Sequence, residues 1–331
     1  MPALNPLSAF VTGATTPVGR EVVRHLVAAG YTVTGATDGS ANGALVRADG
    51  GTPAYVDLTR AGELRSNISG AAASIVVHLA PLHQDALPFA RPAWNNAALV
   101  ASAAALVEAA HTVGVTHIVA ASSTLAGMVA DEEHAPPADL SAHVTALRAA
   151  ENAILNSGIA ACVLRLGAVY GMDSAELWTL RAALQAGRAV NVGAMPTADH
   201  GHGASGHDAH PSAQIGFVHV QDAARAVVLA VQKQISGATL TIADDHPVAP
   251  AAFAAYFASA QGLSVSAQSP FMQRLFAPAA PAGVRLHNAL LALHLDADTA
   301  PAKSALDWTP RFASYQAGID DLLLSWRAAK K

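Results

Sequence analysis

The chain has 331 residues, with 24 acidic and 19 basic side chains and a net charge of −5. That balance excludes a nucleic-acid partner, because no basic face is available to neutralise phosphates. Its length suits one large α/β domain plus a smaller unit, and 52% apolar against 13% charged residues supplies the core.

In chain order, Ala9–Thr12 predicts a short strand and Pro17–Ala29 a helix with apolar Val18, Val22, Val23, Leu26 and Val27, stopped by Gly30. Tyr31–Ala36 predicts a strand, Asn42–Ala48 a helix and Ala54–Val56 a short strand. Ser74–Leu79 is an apolar run of the kind covered on both faces. A helix over Asn95–His111, a strand over His117–Ala121, a helix over His143–Asn156 and a strand over Ala161–Leu166 follow. Strands alternating with helices in this way imply a doubly wound parallel sheet of Rossmann type, an α/β fold. After Gly171 the pattern loosens: Thr197–Ala213 is polar and histidine-rich, Phe217–Gln232 reads as strand then helix, Ala238–Ile242 as strand, Pro250–Gln261 as helix, and the rest as mostly helical.

The single cysteine, Cys162, excludes a disulfide framework and reads as a core thiol within Ala160–Leu164. Met1–Ser8 carries no basic residue and leads into a strand, so no secretory signal is expected. The uncharged stretch Ala109–Ala130 holds histidines, a glycine and hydroxyl residues, whereas a membrane-spanning helix needs about 20 predominantly apolar residues. The expectation is a cytoplasmic protein without a membrane partner.

The sharpest motif is Val11-Thr12-Gly13-Ala14-Thr15-Thr16-Pro17-Val18-Gly19, which follows a strand and opens a helix. Gly13 permits the tight turn and Gly19 close helix–strand packing; the helix N-terminus then offers N–H groups and a positive dipole end to a pyrophosphate. Thr16 stands where a middle glycine is usual.

This loop, then Val56-Asp57-Leu58, Val77-His78-Leu79-Ala80, Val163–Gly171, Phe217–Ala226 and Ala305–Pro310, in that order, resembles the extended short-chain dehydrogenase/reductase family in its NAD-dependent epimerase/dehydratase branch. The resemblance implies a dinucleotide-binding domain over 1–170, rejoined by 214–242, and a smaller, largely helical substrate cap from 171–213 and 243–331. It also implies that Gly13, Thr15, Thr16, Val18 and Gly19 cradle the pyrophosphate, that Asp57 and Leu58 flank the adenine, and that Leu79 and Ala80 line the ribose–phosphate path. The cofactor-choice position falls at Thr37–Asp38; an acidic Asp38 would repel a 2′-phosphate, which favours NAD, with NADP as the alternative.

The family's chemistry uses a serine or threonine, a tyrosine, and a lysine four residues after it, which share one helix face. Ser122-Ser123-Thr124 supplies hydroxyls, with Ser123 at the catalytic position and Thr124 beside it. Alignment on Glu151 puts His143 at the tyrosine position and Leu147 at the lysine position, and none of the five tyrosines has a lysine four residues on. Two readings stand. His143 acts as the acid or base, since imidazole titrates near neutrality. Alternatively the fold binds dinucleotide without turnover, as a sensor or assembly subunit.

The segment before Phe217 lacks the arginine that family members acting on nucleotide sugars carry, so a small carbonyl or alcohol substrate is expected; Arg181, Arg188 and Arg285 are other candidates for a diphosphate. The loop Asp199–His210 holds four of the fifteen histidines, but its spacing matches no defined metal site, and no metal is expected. The helices at Asn95–His111 and His143–Asn156 hold the places through which family members pair, which implies a homodimer.

Overall fold

The computed structural model describes residues 5–80, 87–89, 94–129, 136–193, 213–265, 282–295 and 297–329. The first half lays down β1 (Asn5–Thr12), α1 (Pro17–Ala28), β2 (Thr32–Thr37), α2 (Ser40–Ala48), β3 (Thr52–Tyr55), α3 (Ala61–Gly70) and β4 (Ala73–His78). It continues with α4 (Asn96–Val113), β5 (His117–Ser123), α5 (Ala138–Leu155) and β6 (Ala160–Leu166). Beyond these come β7 (Ala168–Tyr170), α6 (Ala175–Gln185), β8 (Phe217–His219), α7 (Val220–Gln232), β9 (Ala238–Ile242), α8 (Pro250–Ser259), α9 (Ala282–Leu291), α10 (Ala300–Leu306) and α11 (Tyr315–Ala328).

Seven strands form one sheet in the order β3-β2-β1-β4-β5-β6-β9, with every pair parallel. The chain crosses over between β1 and β4, and at such a switch point a crevice opens outside the strand ends. Every residue of β4 and of β5 is buried, the burial expected of central strands covered on both sides. One face is covered by α1, α7 and α10, with Val22, Leu26, Val227 and Trp308 in one apolar cluster. The other is covered by α3, α4 and α5, with Phe10, Ile68, Leu106 and Leu147 in a second. By length and composition α4 is apolar enough to cross a membrane, but it lies between α3 and α5 with much of its surface in this second cluster.

Three elements were absent from the sequence expectations: α3, β7 and α6. Helix α3 has the sequence AGELRSNISG, whose glycines, serines and asparagine are poor helix formers; burial of Leu64 and Ile68 outweighs that propensity.

β7 and β8 make a separate two-stranded parallel ladder. A third apolar cluster packs on it, with Phe217 stacked on Phe253 at 4.3 Å and Tyr170 edge-on to both. Asp222, in the first turn of α7, holds the C-terminal segment: its carboxylate accepts the N–H groups of Arg311 (2.7 Å) and Phe312 (3.0 Å), while its carbonyl accepts Trp308 Nε1–H (3.1 Å). The histidine-rich stretch Asp199–His210 lies outside the described residues.

Asp244 follows β9 and is 2% exposed; the Tyr170 hydroxyl is close enough to pull its pKa down, though it falls short of good hydrogen-bond geometry. Burial pushes its carboxyl up to about 8, and Asp222 and Asp245 push the same way. An unfolded aspartate titrates near 3.9, so between about 4 and 8 the folded chain keeps a proton that the unfolded chain releases. This residue therefore subtracts stability as pH rises through that window. Asp244→Asn is expected to raise Tm at pH ~7.5, with the gain shrinking to nothing as pH falls towards ~4, as followed by thermal denaturation across pH. A gain that does not depend on pH would show that Asp244 is ionised in the folded state.

Candidate functional site

The glycine-rich turn brings three backbone segments together. Gly13 sits at φ +65°, and a Cβ there would stand 2.8 Å from the Leu79 carbonyl carbon and 2.9 Å from the Ala80 nitrogen. A Cβ on Gly19 would overlap the Gly13 carbonyl oxygen. Thr16 has ordinary extended backbone (φ −68°), so the position does not require glycine. Its hydroxyl accepts Gly19 N–H (2.9 Å) and donates to Gly13 O (2.8 Å), making it the N-cap of α1. Pro17 has no N–H, Gly19 is capped, and Arg20 N–H bonds to Thr16 O. Val18 is thus the first-turn residue whose N–H is left for an anion.

Asp38 lies exposed just past the end of β2, where its carboxylate accepts Asn42 Nδ2–H at 2.7 Å. Asp57, past β3, spends its carboxylate on Thr59 N–H (2.9 Å) and Oγ–H (2.7 Å), bonds that hold it below the ordinary aspartate range. Leu58 packs on the α3–α4–α5 cluster.

A cavity of 220 Å³ runs from Thr16, Pro17 and Val18 across Ser122 and Ser123 to Tyr170 and the Gly171–Glu176 segment. Arg20 ties the α1 side of this cavity to its far wall, bonding Asp49 (2.8 Å) and Asp173 (2.6 Å). A second pocket of 60 Å³ shares Leu87, Ser123 and Gly167 with the first and is walled by Trp94, Leu125, Ile215, Leu290 and Leu293. Thr124 also lines it, and no charged side chain does among the described residues. Ser123 therefore borders both spaces, and its hydroxyl accepts Leu125 N–H at 3.2 Å.

The cradle that Cβ atoms at positions 13 and 19 would fill, with a capped helix end and a long cavity beyond it, fits a dinucleotide. The model of the NAD dependent epimerase/dehydratase family matches residues 9–243. The chain belongs to that family. Its cofactor is a nicotinamide dinucleotide.

A 3-diazoavenalumate denitrifying reductase from Streptomyces is 28% identical over 94% of this chain and 98% of its own length. Among solved structures, MoeE5 in complex with UDP-glucose and NAD superposes with a TM-score of 0.70 at 22% identity, covering 98% of this chain and 100% of that one. The UDP-glucose 4-epimerase of Thermus thermophilus, complexed with NAD, does so at 0.70 and 18% identity, covering 97% and 99%. At these identities the two structures establish the Rossmann-type fold.

His143, the residue that the sequence reading set at the family's tyrosine position, lies well inside α5. Its ring is fully buried, bonded through Nδ1 to Asn96 Oδ1 at 2.8 Å and stacked 3.9 Å from Trp94 with only 6° between the planes. Trp94 lines the 60 Å³ pocket, so its ring separates His143 from that space. Leu147, one turn further, packs in the sheet-facing cluster. Trp94 and Asn96 were missed by the sequence reading; the aromatic residue directly before the Asn95 N-cap was the one available signal. Arg181 packs its guanidinium 5.4 and 5.1 Å from the rings of Trp178 and Trp326, away from both spaces.

Gly13→Val adds a β-branched side chain at positive φ against Leu79 and Ala80. Binding of NAD and NADH by calorimetric titration is expected to be lost while the protein stays folded by circular dichroism. Retained affinity would remove this turn from the cofactor site.

Proposed function

We propose that the chain is an NAD(P)-dependent oxidoreductase that acts on a small, largely apolar carbonyl or alcohol substrate seated beside Ser123 and Thr124. The observation that carries this reading is the uncharged 60 Å³ pocket that meets the cofactor cavity at Ser123 and Gly167. A nucleotide diphosphate needs a cationic fork there, and the described lining offers none.

Gly13 and Gly19 admit the dinucleotide, and Val18 N–H with the positive end of α1 holds the pyrophosphate flanked by Thr15 and Thr16. Leu79 and Ala80 line its path, and Asp57 and Leu58 flank the adenine. Asp38 repels a 2′-phosphate and makes NAD the preferred form. When bound, the nicotinamide supplies or takes the hydride. Ser123 and Thr124 hold the reacting oxygen. Asn96 Oδ1 accepts from His143 Nδ1–H and so orients the imidazole, which serves as the proton-exchanging group in this reading.

A second reading is favoured by Leu147 and by the seclusion of His143 behind Trp94. In it the hydride goes to an electrophile that needs no proton from the protein. The 28% identical relative, by its name, reduces a diazo substrate. Diazo compounds therefore join carbonyls and alcohols in the substrate panel.

We place the protein in the cytoplasm, as its one buried thiol allows, and as a homodimer through α4 and α5. Ala97, Val100, Ala101 and Ala104 form an exposed small-residue stripe along α4, suited to close helix packing. Sedimentation velocity is expected to show a dimer; a monomer at micromolar concentration would remove this assignment.

Titration with NAD, NADH, NADP and NADPH is expected to show tighter binding of the non-phosphorylated pair. His143→Phe keeps the stack on Trp94 and removes both ring nitrogens. It is expected to lower turnover of a carbonyl substrate by about 10²-fold or more with unchanged cofactor affinity. Unchanged turnover would reduce His143 to a wall of the pocket. Binding without turnover on any panel member would favour a non-catalytic sensor or subunit.

A further inference from the structure

Strand alternation puts Ser122 on the opposite side of β5 from Ser123, facing α5. On the same side lies His78, the last residue of β4, in register with Ala120 of β5. These two residues, with Leu147, Ala150 and Glu151 of α5, line a void of about 10 Å³. That is on the order of the probe volume one water needs. Leu147, which the sequence reading set at the family's lysine position, is one wall of this void.

The polar atoms around it are directional. Thr12 Oγ1 accepts Leu79 N–H (3.1 Å) and Ala80 N–H (3.3 Å), which takes up both its lone pairs. Its own proton therefore goes to His78 Nδ1, 2.8 Å away. A His78 ring that accepts at Nδ1 carries its proton on Nε2 when neutral, and complete burial keeps it neutral by pushing its pKa down to about 4. His78 Nε2 and Ser122 Oγ are both buried, and neither has a hydrogen-bond partner in the protein. Two orphaned polar atoms beside one water-sized void is the arrangement a buried water satisfies. The Glu151 carboxylate, already bonded by Arg165 (2.9 and 2.6 Å), borders the same void and has lone pairs to spare.

We propose that a single buried water bridges His78 Nε2 and Ser122 Oγ, and that it locks the ends of β4 and β5 beside the cofactor cavity. The water accepts from Nε2–H and donates one proton to Ser122 Oγ. Ser122 is also a wall residue of the large cavity, but its Oγ is shielded from that space, so the bridge fixes the strand end that carries Ser123. Thr12, His78 and the water form a one-way chain that begins at two backbone amides beside the glycine turn. His78 is a positioning residue in this scheme. Neither the water nor the tautomer rests on the oxidoreductase reading.

The test uses the full chain without substrate. Long-range nitrogen-15 NMR is expected to show His78 protonated at Nε2 at neutral pH, with its N–H proton cross-relaxing to a long-lived water. Ser122→Ala is expected to abolish that cross-peak and Ser122→Thr to keep it. A merely structural His78 would give the same signals in all three proteins. A crystal structure of the unmutated protein is expected to show ordered water within about 3.2 Å of both atoms. A dry void, a proton on Nδ1, or a direct His78–Ser122 bond would each overturn the proposal. Loss of cofactor binding or turnover in any assay would leave these signals unchanged and would count against the oxidoreductase reading alone.

Discussion

The structure depends on one close approach, where the end of β1 passes between the start of α1 and the end of β4. No side chain separates the Gly13 backbone from Leu79 and Ala80, nor α1 from the Gly13 carbonyl. Thr12 then stitches β1 to β4 with its hydroxyl. Because β1 and β4 are the strands between which the sheet order reverses, the helix end, the strand ends and the cavity converge at that point. The cofactor site and the contact between β1 and β4 therefore share the same backbone atoms.

The inner side of α5 is apolar and aromatic. A tyrosine–lysine pair would bring a phenol and a cation to the inner side of α5. Here that side carries His143 stacked on Trp94, and Leu147 within the apolar cluster. Burial of a cation is costly unless it is paired, and Leu147 puts no such charge in this cluster. Beside Leu147 two buried polar atoms, Ser122 Oγ and His78 Nε2, have no hydrogen-bond partner in the protein. Arg165 and Glu151, held as a bidentate pair at 2.9 and 2.6 Å, keep the remaining charge near α5 locally balanced.

The parallel sheet and the glycine turn were legible because each rests on short-range rules. Strands buried on both faces read as apolar runs, and Gly13 and Gly19 are demanded by backbone contact alone. Element ends drifted by a few residues: α5 begins at Ala138, so His143 lies a turn and a half inside rather than at its start. α3 escaped notice because its stability comes from Leu64 and Ile68 meeting residues distant in sequence. The pocket was not legible at all. Trp94, Leu125, Ile215 and Leu293 come from four separate segments, and no local pattern links them. The Asn96–His143 bond joins two helices 47 positions apart and was equally hidden.

Thr16 separates what the glycine pattern requires geometrically from what it merely permits. A glycine is compelled where φ is positive or where another backbone sits within reach of a Cβ, and both tests mark position 13 while the second marks position 19. Position 16 passes neither test: its backbone is extended, and its side chain folds back to cap Gly19 N–H and reach Gly13 O. The threonine thus stabilises the turn by about 1 kcal/mol relative to an uncapped helix end. It does so while consuming an N–H that a glycine would leave open to phosphate. The helix end keeps its dipole but offers one fewer donor. Anion binding at this turn therefore leans on Val18 N–H and on the loop residues before the cap, and the turn is held rigid whether or not an anion is present.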